Sequence, residues 1–409
     1  MSQTKTIKRL VACFGSIQLV TALSVLSYRA KEQQELNCSY EDYLVITPLF
    51  APQGQNEEFA AFIKKMANSI YSWKKIVYLS MEQTKFLTDK INSSNLSEVA
   101  KLVYKLLDLE TPDEIYLSRT WNLENQLLMN VYESAEKICY GDGIGIYFSY
   151  TAFLPQNTSQ EATLTLSSLY KSFKKQIKGV LPKKRKFRQQ EFDIGYFSLP
   201  YAFGEIPPME TVVLDRSVYL KTFQNLRKGL DNLIDANYIN KLKATIHNHP
   251  VSILLSSNFS EASRMPLEQE IEAYRKFIIS QKIPEDSILL IKPHPRDSKQ
   301  KILQLKSNLS DLYTKIVLLN EDFLFYLPFE VLFMELFLNA ELAQLQKPKI
   351  FTFSSACLTL EFLFDTECIV GFGSEIVEKY FYPEHIEGRI KHEVDLQSTI
   401  NEVRGLVAA

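Results

Sequence analysis

Three short stretches carry residue types that do chemistry when a fold brings them together. Tyr140-Gly141-Asp142-Gly143-Ile144-Gly145 sets one carboxylate among glycines. Glycine reaches left-handed backbone conformations and lets a ligand approach closely, so Asp142 projects from a tight turn. A lone carboxylate there suits a general base that takes the proton of a hydroxyl nucleophile; the plainer alternative is an ordinary Asp-Gly turn. The spacing is not a dinucleotide fingerprint, because no third glycine falls where that motif needs one. Lys292-Pro293-His294-Pro295-Arg296 sets an imidazole between two prolines and two cations. The prolines fix the backbone and prevent a helix from running through the histidine. The cations suit a phosphate, to which His294 would donate a hydrogen bond or a proton; the alternative is a rigid loop whose histidine caps a backbone group. Phe353-Ser354-Ser355-Ala356 precedes an apolar helix over 357–364. Two hydroxyls, free amides and the helix dipole meet there, as an anion site or as a plain serine cap.

Two weaker candidates follow the same logic. Ser256-Ser257-Asn258 also follows an apolar strand, and Glu330 of Pro328-Phe329-Glu330 opens a helix. A carboxylate at that position stabilises the helix or accepts hydrogen bonds from ribose hydroxyls. The chain lacks a Walker A loop, HExxH, GxSxG and a DxD pair with an obvious metal role, and no metal or other cofactor is expected. His249-Pro250 precedes its strand and so falls at the opposite edge; His385 and His392, in a polar C-terminal region, are expected at the surface.

The elements that must position these residues alternate between strand and helix. Strands are expected at 9–14, 43–47, 75–79, 114–117 and 137–140, with helices at 17–31, 57–71, 96–109 and 122–135. After a less regular middle and a helix near 219–234, the pattern restarts. Strands at 251–255, 287–292, 349–353 and 368–371 then alternate with helices at 267–280, 329–338 and 357–364. Such alternation builds parallel sheets from βαβ units. The strands need not alternate in polarity, because helices cover both faces. Ligands of such sheets bind beyond the carboxyl ends of the strands, where the three stretches fall.

The 409 residues carry a net charge of −2, with 46% apolar and 23% charged residues, which excludes a disordered, collagen-like or disulfide-scaffold chain. That length exceeds what one core normally serves, so two domains are expected. Five scattered cysteines without a CxxC pair fit a reducing compartment and argue against structural zinc or a disulfide framework. Near-neutral charge removes a general case for nucleic acid as partner. Leu10–Tyr28 holds no charged residue and follows Lys5, Lys8 and Arg9, as a signal peptide or membrane span would. Gly15, Ser16, Gln18, Thr21, Ser24 and Ser27 dilute that run, and Leu19, Leu23 and Leu26 make one helical stripe. A strand, a Gly15-Ser16 turn and a helix are therefore expected.

Taken in order, Asp-Gly after an N-terminal strand, then KPHP, PFE and Ser-Ser in the second half, resemble the bacterial sialyltransferases and polysialyltransferases of GT-B architecture. Ser16-Ile17-Gln18-Leu19 is similar to that family's S/P-x-Q-L opening. The resemblance implies two Rossmann-like parallel-sheet domains facing a central cleft. An acceptor domain would span 1–246 and a CMP-sugar domain 247–384, with a C-terminal helical segment, 385–409, packing back on the first. It implies inverting, metal-independent transfer of sialic acid from CMP-sialic acid to a glycan. Asp142 would be the base and His294 the group on the leaving phosphate. Ser354 and Ser355 would bind the same phosphate and Glu330 the ribose, with Lys292, Pro295, Ser256 and Asn258 around the CMP-sugar. The first acidic position of the family's D/E-D/E-G motif is Gly141 here. Lys171 to Arg188 holds nine basic residues and no acidic one. Its Lys183-Lys184-Arg185-Lys186 run is a solvated loop, a groove for a polyanionic acceptor, or a contact with anionic lipid at the inner membrane. The setting implied is cytoplasmic or peripheral to that membrane. Transfer of another CMP-activated sugar acid such as Kdo, or non-catalytic binding on the same fold, are the alternatives.

Overall fold

The computed structural model describes residues 5–33, 38–48, 51–52, 54–93, 96–119, 122–141, 191–198, 209–338 and 347–408. The first half opens with β1 (Lys5–Cys13), α1 (Ser16–Glu32), β2 (Cys38–Ile46), α2 (Asn56–Ile70) and β3 (Lys75–Tyr78). It continues with α3 (Met81–Ser93), α4 (Leu96–Leu107), β4 (Glu114–Leu117), α5 (Leu123–Val131), β5 (Glu136–Cys139), β6 (Ile194–Phe197) and β7 (Glu210–Val213). These strands form a parallel sheet in the order β3-β2-β1-β4-β5-β6-β7.

The charge-free run after Arg9 is uncharged because it is buried. Val11, Ala12, Cys13 and Phe14 are inaccessible, and every residue of α1 from Gln18 to Leu26 is buried. Its hydroxyls are satisfied within the helix: Thr21 Oγ1 donates to the Ile17 carbonyl at 2.8 Å, and Ser24 Oγ to that of Val20 at 2.9 Å. No helix among the described residues is long and apolar enough to cross a membrane. The strand–turn–helix expectation holds.

The second half begins with α6 (Arg216–Lys228) and α7 (Ala236–Ile246). Then come β8 (Val251–Leu255), α8 (Leu267–Ile279), β9 (Ile288–Lys292), α9 (Lys299–Asn308), β10 (Lys315–Leu318), α10 (Asp322–Tyr326) and α11 (Phe329–Phe337). β11 (Lys349–Thr352), α12 (Ala356–Phe364), β12 (Cys368–Val370), α13 (Ser374–Tyr380) and α14 (Pro383–Ala408) complete it. The second sheet is parallel in the order β10-β9-β8-β11-β12. Its central strands VSILL and ILLIK are near-continuous apolar runs, wholly buried, as a sheet covered on both faces requires. Both sheets therefore run 3-2-1-4-5 from the outer strand, the doubly wound order, with a switch point between β1 and β4 and another between β8 and β11. These are the two Rossmann-like units of a GT-B-type fold.

α6 joins the halves, packing on α1 and α2 of the first and on α11 and α12 of the second. Ser24 Oγ, whose proton goes to Val20, accepts from the Thr222 hydroxyl across that seam at 2.8 Å. α2, after β2, and α10, after β10, also meet. Tyr326 sits 5.7 Å from Phe59 and 5.6 Å from Phe62, ring centre to ring centre, and its hydroxyl donates to Gln55 at 2.6 Å. α14 packs chiefly on α12, α13 and β12, so its main contacts lie within the second domain rather than on the first as expected. The reason is its buried Leu396, Ile400 and Val403, together with the Arg404 fork on Glu361 at 2.7 and 2.8 Å.

Candidate functional site

The carboxyl edge of the second sheet gathers the groups with chemistry. β9 ends at Lys292, and the loop that follows is tied down by its backbone. The His294 N–H donates to Ser256 Oγ at 3.0 Å and to Asp297 Oδ2 at 2.9 Å. The Arg296 N–H donates to His294 Nδ1 at 3.1 Å. Because Nδ1 accepts, this hydrogen-bond pattern assigns the ring proton to Nε2, which makes Nε2 a donor. Burial pulls the imidazole pKa down to about 4, with Arg296, Lys301 and Lys292 adding to the effect against Asp297. His294 is thus a neutral donor near pH 7, and an anion placed beside it would reverse that balance.

Asp297 anchors the loop to the core. Its carboxylate takes the Ser256 hydroxyl and, at 2.9 Å, the Lys301 ammonium, which is wholly buried. Lys301 also reaches Glu261 at 3.2 Å, the Ser257 carbonyl at 2.5 Å and the Glu270 carboxylate. Burial opposes the Lys301 charge, but Asp297 and Glu270 more than offset it and hold the ammonium above its usual range. Neither Asp297 nor Lys301 was singled out in the sequence.

β11 delivers the second part. Ser354 and Ser355 follow Phe353 at the start of α12, and Ser355 makes no side-chain cap bond. Among the described residues, the Ser355 and Ala356 amides and both serine hydroxyls have no hydrogen-bond partner. A helix start with free donors suits an anion. It faces His294 across a cavity of 710 Å³, whose wall also includes Asn258, Arg264, Arg389, His385 and His392. The volume is that of a small-molecule site, and it lies at the β8/β11 switch point.

His385 and His392 are therefore not surface residues in the expected sense: α14 lies across the carboxyl edge and puts both on the cavity wall. Burial, with Arg389 nearby, lowers the His392 pKa. Four of the expected ligands fall off that wall. Ser256 is spent on the His294 loop. Lys292 is buried with its ammonium 4.4 Å from the centre of the Phe325 ring, and burial lowers its pKa to about 8. Pro295 only shapes the loop. Glu330 lies in the first turn of α11, buried and without an ion pair, and burial raises its carboxyl pKa to about 7. His249 sits at the amino edge, its Nδ1 3.2 Å from the Asp286 carbonyl, as its position before β8 implied.

Asp142 and the Lys183-Lys184-Arg185-Lys186 run lie outside the described residues. Gly141 just before Asp142 has φ +82°, a left-handed conformation in which the family's acidic residue would be strained. A second cavity, of 370 Å³, lies between α6, α7 and α11, where Glu335 holds Arg227 at 2.7 Å and also Lys243.

The family model for alpha-2,8-polysialyltransferase (POLYST) matches residues 9–335. No curated protein matches the sequence. Among solved structures, the chain is similar to a putative UDP-N-acetylglucosamine 2-epimerase from Listeria monocytogenes, at 13% identity over 98% of this chain and 91% of that one, with a TM-score of 0.46. It is similar to S. aureus MnaA in a co-structure with UDP, at 14% identity over 99% and 89%, with a TM-score of 0.46. A glycosyl transferase family 9 protein from Veillonella parvula aligns at 9% identity over 98% and 99%, with a TM-score of 0.36.

Proposed function

The chain belongs to the alpha-2,8-polysialyltransferase family, and from that premise we propose that it moves sialic acid from CMP-sialic acid to a glycan acceptor by a single inverting displacement. It is a sialyltransferase-type glycosyltransferase; the donor, the residues and the stereochemistry are the proposal. The observation that carries it is the set of free donors on one cavity: His294 Nε2, two serine hydroxyls and two amides at the start of α12. A CMP-sugar has one phosphate between sugar and nucleoside. Neutral preorganised donors stabilise that leaving group without the metal a diphosphate would need. Asp142 would take the acceptor proton from the opposite side of the anomeric carbon as CMP departs. A single carboxylate suits direct inversion, whereas retention would need a nucleophilic carboxylate as well. Asn258 would line the donor cavity; Glu330, to which the family resemblance assigns the ribose, lies buried off that wall and would meet the ribose only where the nucleoside extends beyond it. Lys183, Lys184, Arg185 and Lys186 would meet a polyanionic acceptor or an anionic membrane surface. The five free cysteines support a cytoplasmic setting.

Transfer from labelled CMP-sialic acid to an oligosialic acceptor tests the reading. Wild-type protein is expected to release CMP and lengthen the acceptor, and Asp142→Ala to lose about 10²- to 10⁴-fold in rate while still binding CMP. Turnover with CMP-Kdo alone would move the activity to another sugar acid. CMP binding without turnover of any donor would make the protein a binder.

A further inference from the structure

Among the described residues, Arg389, on α14 and beyond the end of the family match at residue 335, is the one arginine or lysine both on the cavity wall and buried. It is 5% exposed, and its guanidinium lies 4.8 Å from the centre of the Phe259 ring. Nε donates to Glu393 at 2.7 Å, and Nη1 to the Phe353 carbonyl at 3.2 Å. Nη2 is buried and has no partner. The orientation is fixed from behind, because Glu393 also accepts the N–H groups of Phe372 at 3.0 Å and Gly373 at 2.9 Å. Gly371, with φ +81°, leaves room for that carboxylate; a Cβ there would lie 2.6 Å from it. Burial lowers the Arg389 pKa despite Glu393, so the guanidinium is short of negative charge. A buried guanidinium nitrogen left unpaired costs stability unless a ligand completes it.

The position of the gap indicates which ligand group fits. Nη1 is bonded to Phe353, the residue before Ser354, so the guanidinium borders the anion site at the start of α12. The hydroxyls, amides and imidazole already offer the phosphate its donors. A CMP-activated sugar acid carries a second anion, a carboxylate on the same anomeric carbon as the phosphate oxygen. We propose that Arg389 Nη2 binds this carboxylate and so selects a sugar acid over a neutral sugar on the same nucleotide. The inference rests on the CMP-sugar donor reading above.

Calorimetric titration without acceptor separates the two. The ligands are CMP, CMP-sialic acid and the methyl ester of CMP-sialic acid, and the proteins are wild type, Arg389→Gln and Arg389→Lys. Wild type should prefer the acid to its ester. Arg389→Gln should weaken CMP-sialic acid by about 10- to 100-fold, the worth of a charged hydrogen bond, and erase the acid–ester preference while leaving CMP binding unchanged. Arg389→Lys keeps the charge without the guanidinium fork and should fall between; it carries the test should Arg389→Gln fail to fold. Equal loss for CMP and CMP-sialic acid, or an acid–ester preference that survives both substitutions, would overturn the inference and leave the donor reading standing. Wild-type protein that binds neither CMP nor CMP-sialic acid would remove the donor reading, and the inference with it.

Discussion

The two sheets share the 3-2-1-4-5 strand order and both bury paired charges, but only the second places a buried, incompletely paired guanidinium on a cavity wall. In the first sheet the charges lie within the strands or at their amino ends and are turned on each other. Arg9 and Asp42 are register partners on β1 and β2, paired through two bonds of 2.6 and 2.8 Å, with Tyr71 OH donating to the same carboxylate. Arg29 meets Glu114 at 2.8 Å and Glu136 at 2.9 Å, where β4 and β5 begin. Burial opposes both guanidinium charges, yet their partners raise both pKa values. Arg29 keeps one unpaired nitrogen, Nε, beside the Tyr196 ring. In the second sheet some buried charges are likewise paired, Lys301 with Asp297 and Glu270 and Glu361 with Arg404, but the unpaired nitrogen of Arg389 belongs to a residue on a cavity wall. Its pKa is lowered rather than raised. The same residue type is held by carboxylates in the first sheet, whereas on the cavity wall Arg389 keeps a nitrogen proposed to hold a ligand.

The sharpest way to break this comparison is to cut the scaffold pair. Asp42→Ala leaves Arg9 buried and uncompensated and should destabilise the protein by about 3–5 kcal/mol in urea unfolding, with CMP selectivity unchanged. His294→Ala should do the reverse. Its expected cost is roughly 10²-fold in turnover, about 2.7 kcal/mol, as for removal of one preorganised donor, with a near-native urea midpoint.

The pH dependence of stability separates the same two roles. The His294 pKa is about 4 in the folded protein against an ordinary 6.5. As pH falls from 6.5 toward 4, the unfolded chain takes up a proton that the folded site refuses, so stability drops through that window. His392, also lowered by burial, contributes with the same sign. Unfolding curves at pH 7 and pH 5 should therefore diverge more for wild type than for His294→Ala, and an equal divergence would show that His294 is not held neutral. The smallest effect belongs to Ser256→Ala. Losing one hydroxyl between Asp297 and the His294 amide should cost about 1 kcal/mol in stability and weaken CMP binding only through a looser loop.

What could be read from the sequence followed from local constraint. The short apolar runs KIVY, EIYL and ILLIK, set between helical segments, read as strands, and the polar dilution of Leu10–Tyr28 separates a strand–turn–helix from a membrane span. His294 between two prolines and the Ser354-Ser355 pair before an apolar helix announce exposed donors at strand ends. The remaining site residues depend on tertiary contacts and leave no such local mark. Ser256 looks like Ser354 in sequence, yet its hydroxyl is consumed by Asp297, forty-one positions on. Lys301 carries no local mark in the sequence, yet three carboxylates converge on it. Arg389 and Glu393 have the i, i+4 spacing of an ordinary surface ion pair. Only the way α14 crosses the carboxyl edge turns that pair into a cavity wall.

The central claim is that the β8/β11 switch point holds a cytidine monophosphate donor. Thermal denaturation of wild type and His294→Ala with CMP, UMP, GDP and ADP tests it most directly. The account predicts that CMP alone stabilises wild type, by about 2.7 kcal/mol at a hundredfold excess over its dissociation constant, and that His294→Ala reduces the gain. Stabilisation by a nucleoside diphosphate, or a CMP response undiminished in His294→Ala, would contradict it.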